Sequence, residues 1–248
     1  MKKTILLPII LLFSIGTTLV SCDEDGFNVT PNDGLSNDEI IQGLKEALTK
    51  GADTSVSILS VTDGYYADQA VKILLPPEGQ KIYGQLEKIP GVDELVVEGT
   101  VKLINRAAED ASTEAKPIFK DAITNITITD GLSILQGHDS SATMYLKDNT
   151  YDNLMAAYTP KMEASLGKPI VGSTSAESSY QTLVSSYNAA SLGGLLYPKI
   201  QETTLSAYAT ARALDGLFKK VALEEGKIRK DPLHRVTDIL KKVFSSLD

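Results

Sequence analysis

From Leu35 to the C-terminus, apolar residues recur every three or four positions, and no run alternates apolar with polar residues between turn signals. That period matches the α-helical turn and excludes half-buried strands, whose side chains alternate between faces. The expected class is therefore all-α, a multi-helix bundle. Ser36-Asn37-Asp38-Glu39 has the spacing of a capping box. Behind it, Ile40, Ile41, Leu44, Leu48, Ala52, Val56 and Leu59 fall on one helical face. Residues 62–64 read as a turn, and Pro76-Pro77 opens a helix to about Ile89. Pro90-Gly91 breaks that helix and a long one follows to about Ala111. Further helices are expected over about 115–125, from Thr129-Asp130 to Gly137, and from a cap at Asp139 to about Leu166. A loop at 167–179 precedes helices over about 177–190 and 203–229. Asp231-Pro232 pairs an N-cap with proline at the first helical position. The last helix then carries Val236, Ile239, Leu240, Val243, Phe244 and Leu247 as its apolar stripe.

The N-terminus is a different kind of segment. Lys2 and Lys3 precede a short apolar run from Ile5 to Ile15, after which Gly16, Thr17 and Thr18 lead to Leu19-Val20-Ser21-Cys22. A charged start, a short apolar core and small residues at the exit make a secretory signal peptide. A membrane span needs about 20 predominantly apolar residues, more than this run supplies. Leu19-Val20-Ser21-Cys22 resembles the lipobox of bacterial lipoproteins, whose cysteine takes a diacylglyceryl group and becomes the mature N-terminus. Cys22 is the chain's one cysteine, and in an exported protein a lone thiol otherwise needs an explanation. Two acyl chains anchor stably where one does not. The expected organisation is a removed signal peptide (1–21), a lipidated Cys22 on an acidic flexible tether (22–34), and a single all-α domain (35–248). Asp23, Glu24 and Asp25 behind the cysteine resemble the surface-export signal of some bacterial lipoproteins. In other bacteria an Asp at that place resembles an inner-membrane retention signal. The expected location is thus the cell envelope, with the outer membrane favoured and surface exposure open.

Without Lys2 and Lys3 the chain carries 22 basic against 32 acidic residues, a net charge of −10. Such a balance disfavours nucleic acid, where binding is driven by phosphate neutralisation. It also disfavours broad adhesion to an anionic membrane face, which leaves the lipid as the membrane contact.

Several stretches resemble a known family. They are LPPEGQKI (75–82), NRAAEDA (105–111), AKPIFKDAI (115–123), ILQGHDSSAT (134–143), ALDGLF (213–218) and EEGKIRKDPLHRVTDILKKVF (224–244). In this order they resemble the bacterial family catalogued as domain of unknown function 4197, over roughly Leu35 to Phe244. The resemblance implies a helical, exported, often lipidated protein and no particular activity. The segment 166–200 matches least.

No catalytic signature stands out. The two histidines, His138 and His234, sit in different motifs, and no cysteine or histidine set has metal-ligand spacing. No Gly-x-Ser-x-Gly elbow or Walker loop occurs. Ser165–Lys168 and Ser186–Asn188 match two parts of a penicillin-binding pattern, but its Lys-Thr-Gly part is missing. No cofactor and no metal are expected.

The informative anomalies are charges on apolar helix faces. In the helix ending at Ala111, Glu94, Glu98, Lys102, Asn105 and Glu109 form one polar arc. Asp110 projects among Val92, Val96 and Leu103, with Arg106 at the edge of that face and four residues away. In the 203–229 helix, Glu225 falls inside the stripe of Leu214, Leu217, Phe218, Val221 and Ile228, with Arg229 four residues on. An unpaired core carboxylate would cost several kcal/mol. The expectation is one polar cluster of Arg106, Asp110, Glu225 and Arg229, with Arg235 reaching back to Glu224 or Glu225, and with Asn105 beside it. It is either a buried network that fixes helix packing or a polar ligand site in the bundle core. The leading function is a lipid-anchored, non-catalytic binding or scaffolding module. The alternative is a small-molecule binding protein using that core site, and an enzyme using core carboxylates ranks third.

Overall fold

The computed structural model describes residues 34–77, 94–171, 174–196, 198–201 and 203–247. The signal peptide, Cys22, the acidic tether and most of the helix expected after Pro77 lie outside them. The described chain is all-α. Its helices are α1 (Asn37–Leu59), α2 (Glu94–Ala111), α3 (Ala115–Thr124), α4 (Ile128–Leu135), α5 (Ser141–Leu166), α6 (Ala176–Ala190), α7 (Leu205–Lys230) and α8 (Asp238–Phe244). A small antiparallel hairpin, β1 (Pro169–Val171) with β2 (Thr174–Ser175), lies where a loop was expected. Among the described residues no helix is long and apolar enough to cross a membrane.

Local chemistry explains most helix starts. The Ser36 hydroxyl accepts the Glu39 N–H at 3.2 Å, and the Glu39 carboxylate accepts the Ser36 N–H at 3.0 Å. That reciprocal box satisfies two donors the helix itself leaves open. Thr127 and Asp130 make the same box for α4, two residues ahead of the expected start. Asp231-Pro232 opens only a 3-10 turn over Pro232–His234, and α8 is capped instead by Thr237. In consequence Leu240, Val243 and Phe244 are buried while Val236 and Leu247 are exposed.

Helices α5 and α7 pack along each other, with α2 against α5 and α1 against α7. The contacts fix the directions. Thr143 at the start of α5 meets Glu225 late in α7, and Tyr151 stacks on Phe218 further along, so the two helices run antiparallel. Helix α1 also opposes α7. Gly43 lies against Val243 of α8 and Gly51 against Glu224, while the Tyr65 hydroxyl beyond the end of α1 donates to the Ala213 carbonyl at 2.8 Å. Helices α1, α4 and α8 therefore meet the C-terminal half of α7. Residues 34–36, where the tether joins, enter at that end. Helix α6 and the hairpin lie at the opposite end, against the start of α7. Gly216 lets the 60–75 segment come close: a Cβ there would stand 2.8 Å from Tyr65 Cε1 and 3.2 Å from Val71 Cβ.

Candidate functional site

Glu225 and Arg229 are 8% and 6% exposed, both inside the apolar stripe of α7. What surrounds them explains why charge is tolerated there. Helix α4 ends at Leu135 and α5 begins at Ser141, so two helix ends face α7 side by side. The N-cap of α5, Ser140, makes no side-chain cap bond, and the first N–H groups of a helix have no partner within it. Glu225 supplies the missing acceptor. One carboxylate oxygen takes the Ala142 N–H at 3.0 Å; the other takes the Thr143 N–H at 2.8 Å and the Thr143 hydroxyl at 2.7 Å. Arg229 donates from Nε to Glu225 at 2.9 Å, and from its two terminal nitrogens to the Leu135 and Ile134 carbonyls at 3.1 and 2.7 Å. Each charge thus meets the helix end of opposite partial charge, carboxylate at the α5 N-terminus and guanidinium at the α4 C-terminus.

Arg235 completes this end. It is 2% exposed and donates to the Ile228 and Arg229 carbonyls at 3.0 and 2.7 Å. It caps the end of α7 through backbone oxygens; of the two carboxylates it was expected to reach, Glu224 meets Lys227 at 2.6 Å and Glu225 meets Arg229. A cavity of about 20 Å³ lies beside the Glu225–Arg229 pair, walled by Leu48, Val221, Ile228 and Phe244. That volume holds about one water.

Arg106 and Asp110 are not part of this group. Asp110 is exposed and pairs with Lys161 at 3.3 Å, so its expected place on an apolar face is corrected. Arg106 turns to Glu109 at 2.5 Å and to Asp63 at 2.6 Å. The expected single cluster is thus two separate ones, because the α2 arc packs against a non-helical stretch. Residues 60–75 leave backbone groups that helices would have satisfied internally, and buried backbone groups need partners. Asn105, fully buried, accepts the Ile73 N–H at 2.9 Å and donates to the Ile73 carbonyl at 2.8 Å. Glu109, 4% exposed, accepts the Tyr65 and Tyr66 N–H groups, both at 3.2 Å. Asp63, held by Arg106, sits at φ +69°, a left-handed conformation that Asp tolerates better than most residues. Glu109 and Asp63 together hold the Arg106 pKa above its ordinary value.

Three residues outside the sequence expectation share this chemistry: Glu109, Thr143 and Glu177. At the other end of the bundle the Glu177 carboxylate accepts the Leu205 and Ser206 N–H groups at 3.1 and 2.8 Å, capping α7. The sequence signal for Glu109 was the narrow polar arc on an otherwise apolar helix, together with the long uncapped stretch after Leu59. No comparable signal marks Glu177 or Thr143.

His138 is exposed between α4 and α5, and the His234 ring lies 2.8 Å from the Asp231 carboxylate, also exposed. Asp139, expected to cap α5, instead forms an ion pair with Lys230 that lowers its pKa. Among the described residues no group of three or more His, Cys, Asp and Glu could hold a metal ion.

Fold and site define a helical-bundle protein whose buried charges tie helix ends together. A family model described as protein of unknown function (DUF4197) matches residues 34–245, and the chain belongs to that family. No curated protein and no solved structure matches the chain.

Proposed function

We propose that this is a non-catalytic binding or scaffolding module of the bacterial cell envelope, held by lipidated Cys22 on an acidic tether, at the outer membrane before the inner one. The observation that carries the non-catalytic part is how the buried charges are used. Glu225 accepts the Ala142 and Thr143 N–H groups, the Thr143 hydroxyl and Arg229, whose other donors go to the Ile134 and Leu135 carbonyls, and Arg235 donates to the Ile228 and Arg229 carbonyls. Asn105 bonds to the Ile73 and Val101 backbone, and Glu109 accepts the Tyr65 and Tyr66 N–H groups and the Arg106 guanidinium. A general acid or base must keep a face free for a substrate proton. The alternative, a small-molecule site in the helical core, has less support, because the space beside Glu225 suits a single water. Support for the anchor comes from the lipobox-like Leu19-Val20-Ser21-Cys22 and the absence of any second cysteine.

Two measurements test the reading. Wild type should incorporate labelled palmitate, and Cys22→Ala should leave an unprocessed or membrane-released form. An unmodified Cys22 in the native chain by mass spectrometry would remove the anchor. For the non-catalytic part, Glu225→Gln should lower stability with no separate loss of ligand affinity. Binding of an envelope metabolite that vanishes in a fully stable Glu225→Gln chain would restore the core site.

A further inference from the structure

Residues 71–75 run past α7 as a lone extended segment. Val71, Ile73 and Leu75 are buried, while Lys72 is half-buried and Leu74 is 51% exposed, the alternation of a strand. An extended residue turns its N–H and C=O to one side, and its neighbours turn theirs to the other. Asn105 of α2 takes both groups of Ile73. The N–H and C=O of Leu74 therefore face away from α2, and Leu74 has no hydrogen bond among the described residues. Backbone groups stay unpaired only where water reaches them. An open strand edge of this kind is a template for another chain.

An open groove of about 400 Å³ separates this segment from α7. The α7 wall carries Tyr208, Arg212, Asp215 and Lys219, and Lys72 stands on the segment side. Three cations against one carboxylate reverse the sign of a chain with more acids than bases. The cations also keep donors to spare. Arg212 is about half exposed, pairs with Asp215 at 2.9 Å and lies over the Tyr208 ring. A guanidinium has five N–H donors, so one exposed carboxylate leaves most of them open. Lys219 is exposed and gives one of its three N–H groups to the Ala70 carbonyl at 3.0 Å. A small anion would use the cations and leave the Leu74 edge bare. A peptide in extended form offers the matching C=O and N–H, and acidic side chains along it suit the α7 wall.

We propose that this groove takes an extended acidic segment of a partner protein. Its backbone pairs with the N–H and C=O of Leu74, and its Asp or Glu carboxylates meet Arg212 and Lys219. This partner site deepens the binding-module reading and rests on it, but not on the lipid at Cys22.

The full chain, purified in detergent, is titrated with rhodamine-labelled Val-Glu-Val-Glu-Val and followed by fluorescence anisotropy. Two control peptides carry Lys in place of Glu, or the same acidic sequence N-methylated at every residue. The acidic peptide should bind about tenfold or more tighter than either control, because one loses the charge-assisted bonds and the other the strand bonds. Arg212→Glu should weaken binding about tenfold with the melting temperature near wild type. Bound peptide should slow hydrogen exchange over 70–76 and not over 176–190. No binding, parity with either control, binding unchanged in Arg212→Glu, or protection confined to other segments would overturn the proposal. So would full displacement by inorganic phosphate at constant ionic strength, which would make the groove a small-anion site. Binding that appears only after Asp23→Asn, Glu24→Gln and Asp25→Asn would overturn it too, by making the chain's own tether the occupant. A lipidated chain that binds no peptide loses the groove and keeps its place as an envelope module. A chain that binds the peptide with Cys22 unmodified loses the anchor and keeps the groove.

Discussion

The two ends of the bundle use one device in two strengths. At the end where residues 34–36 enter, Glu225 caps α5 from within the core, and its charge is balanced by Arg229, which in turn holds the end of α4. At the opposite end Glu177 caps α7 through the same pair of backbone bonds, but it is only partly buried and its side-chain neighbour is the neutral Gln181 at 2.9 Å. Beyond it, the turn after α6 exposes Leu192, Leu195 and Leu196 while Asn188 holds Ile200 by two bonds. A carboxylate that accepts two N–H bonds in water's reach can be replaced by solvent, whereas a buried one cannot. The first end is therefore expected to unfold with the whole molecule and the second to open on its own.

The largest expected effect breaks the strong end. Glu225→Ala leaves the Arg229 guanidinium buried without its anion and the first turn of α5 without acceptors. It should cost about 3–5 kcal/mol, read from urea denaturation. A loss under 1 kcal/mol would show that water replaces the carboxylate and that the two ends do not differ.

Asn105→Ala comes next. It strands both the N–H and the carbonyl of Ile73 in a buried site, with an expected cost of about 2 kcal/mol. Combined with Glu225→Ala it should be additive within about 0.5 kcal/mol, since the two side chains share no partner. Clear non-additivity would reunite the two clusters that the contacts separate.

Glu177→Ala should cost about 1 kcal/mol, the usual scale of an N-cap. Hydrogen exchange should accelerate over 176–204 and hardly at all in α1 or α5. Uniform acceleration throughout the bundle would mean that this end is no less cooperative than the other.

The smallest effect is an acid titration at the strong end. The Lys242 ammonium, 2.5 Å away, together with the Ser36 backbone and hydroxyl, holds the Glu39 carboxyl at about 2. A carboxyl whose folded pKa lies below its unfolded value stabilises the fold above the unfolded value. That contribution is lost as pH falls from about 4.5 toward 2. Lys242→Met should flatten the acid limb of the stability curve in that window and lower the neutral plateau by the same amount, which is small because the pair is exposed.

Much of the architecture follows from local rules. Caps and stripes lie close to the elements they specify, as with Ser36 and Glu39 for α1 or the spacing of Leu214, Leu217, Phe218 and Val221 in α7. Helical phase also singled out Glu225 as a charge on an apolar face, and Arg229 as its nearest cation. Phase could not say what lies opposite a face. It placed Asp110 in the core and Glu109 in solvent, and the reverse holds, because the polar arc of α2 covers the bare backbone of residues 60–75.

What the chain determined alone, then, is where helices run, which side of most of them is apolar, and that Cys22 sits in a lipobox-like setting. The tertiary structure decided which polar groups are structural. The Ser140 position gives α5 no cap of its own, and the acceptor that replaces it comes from Glu225, 82 residues away from Thr143. A helix end advertises its need for a hydrogen bond locally, but the partner that fills it is chosen by whichever surface folding brings alongside.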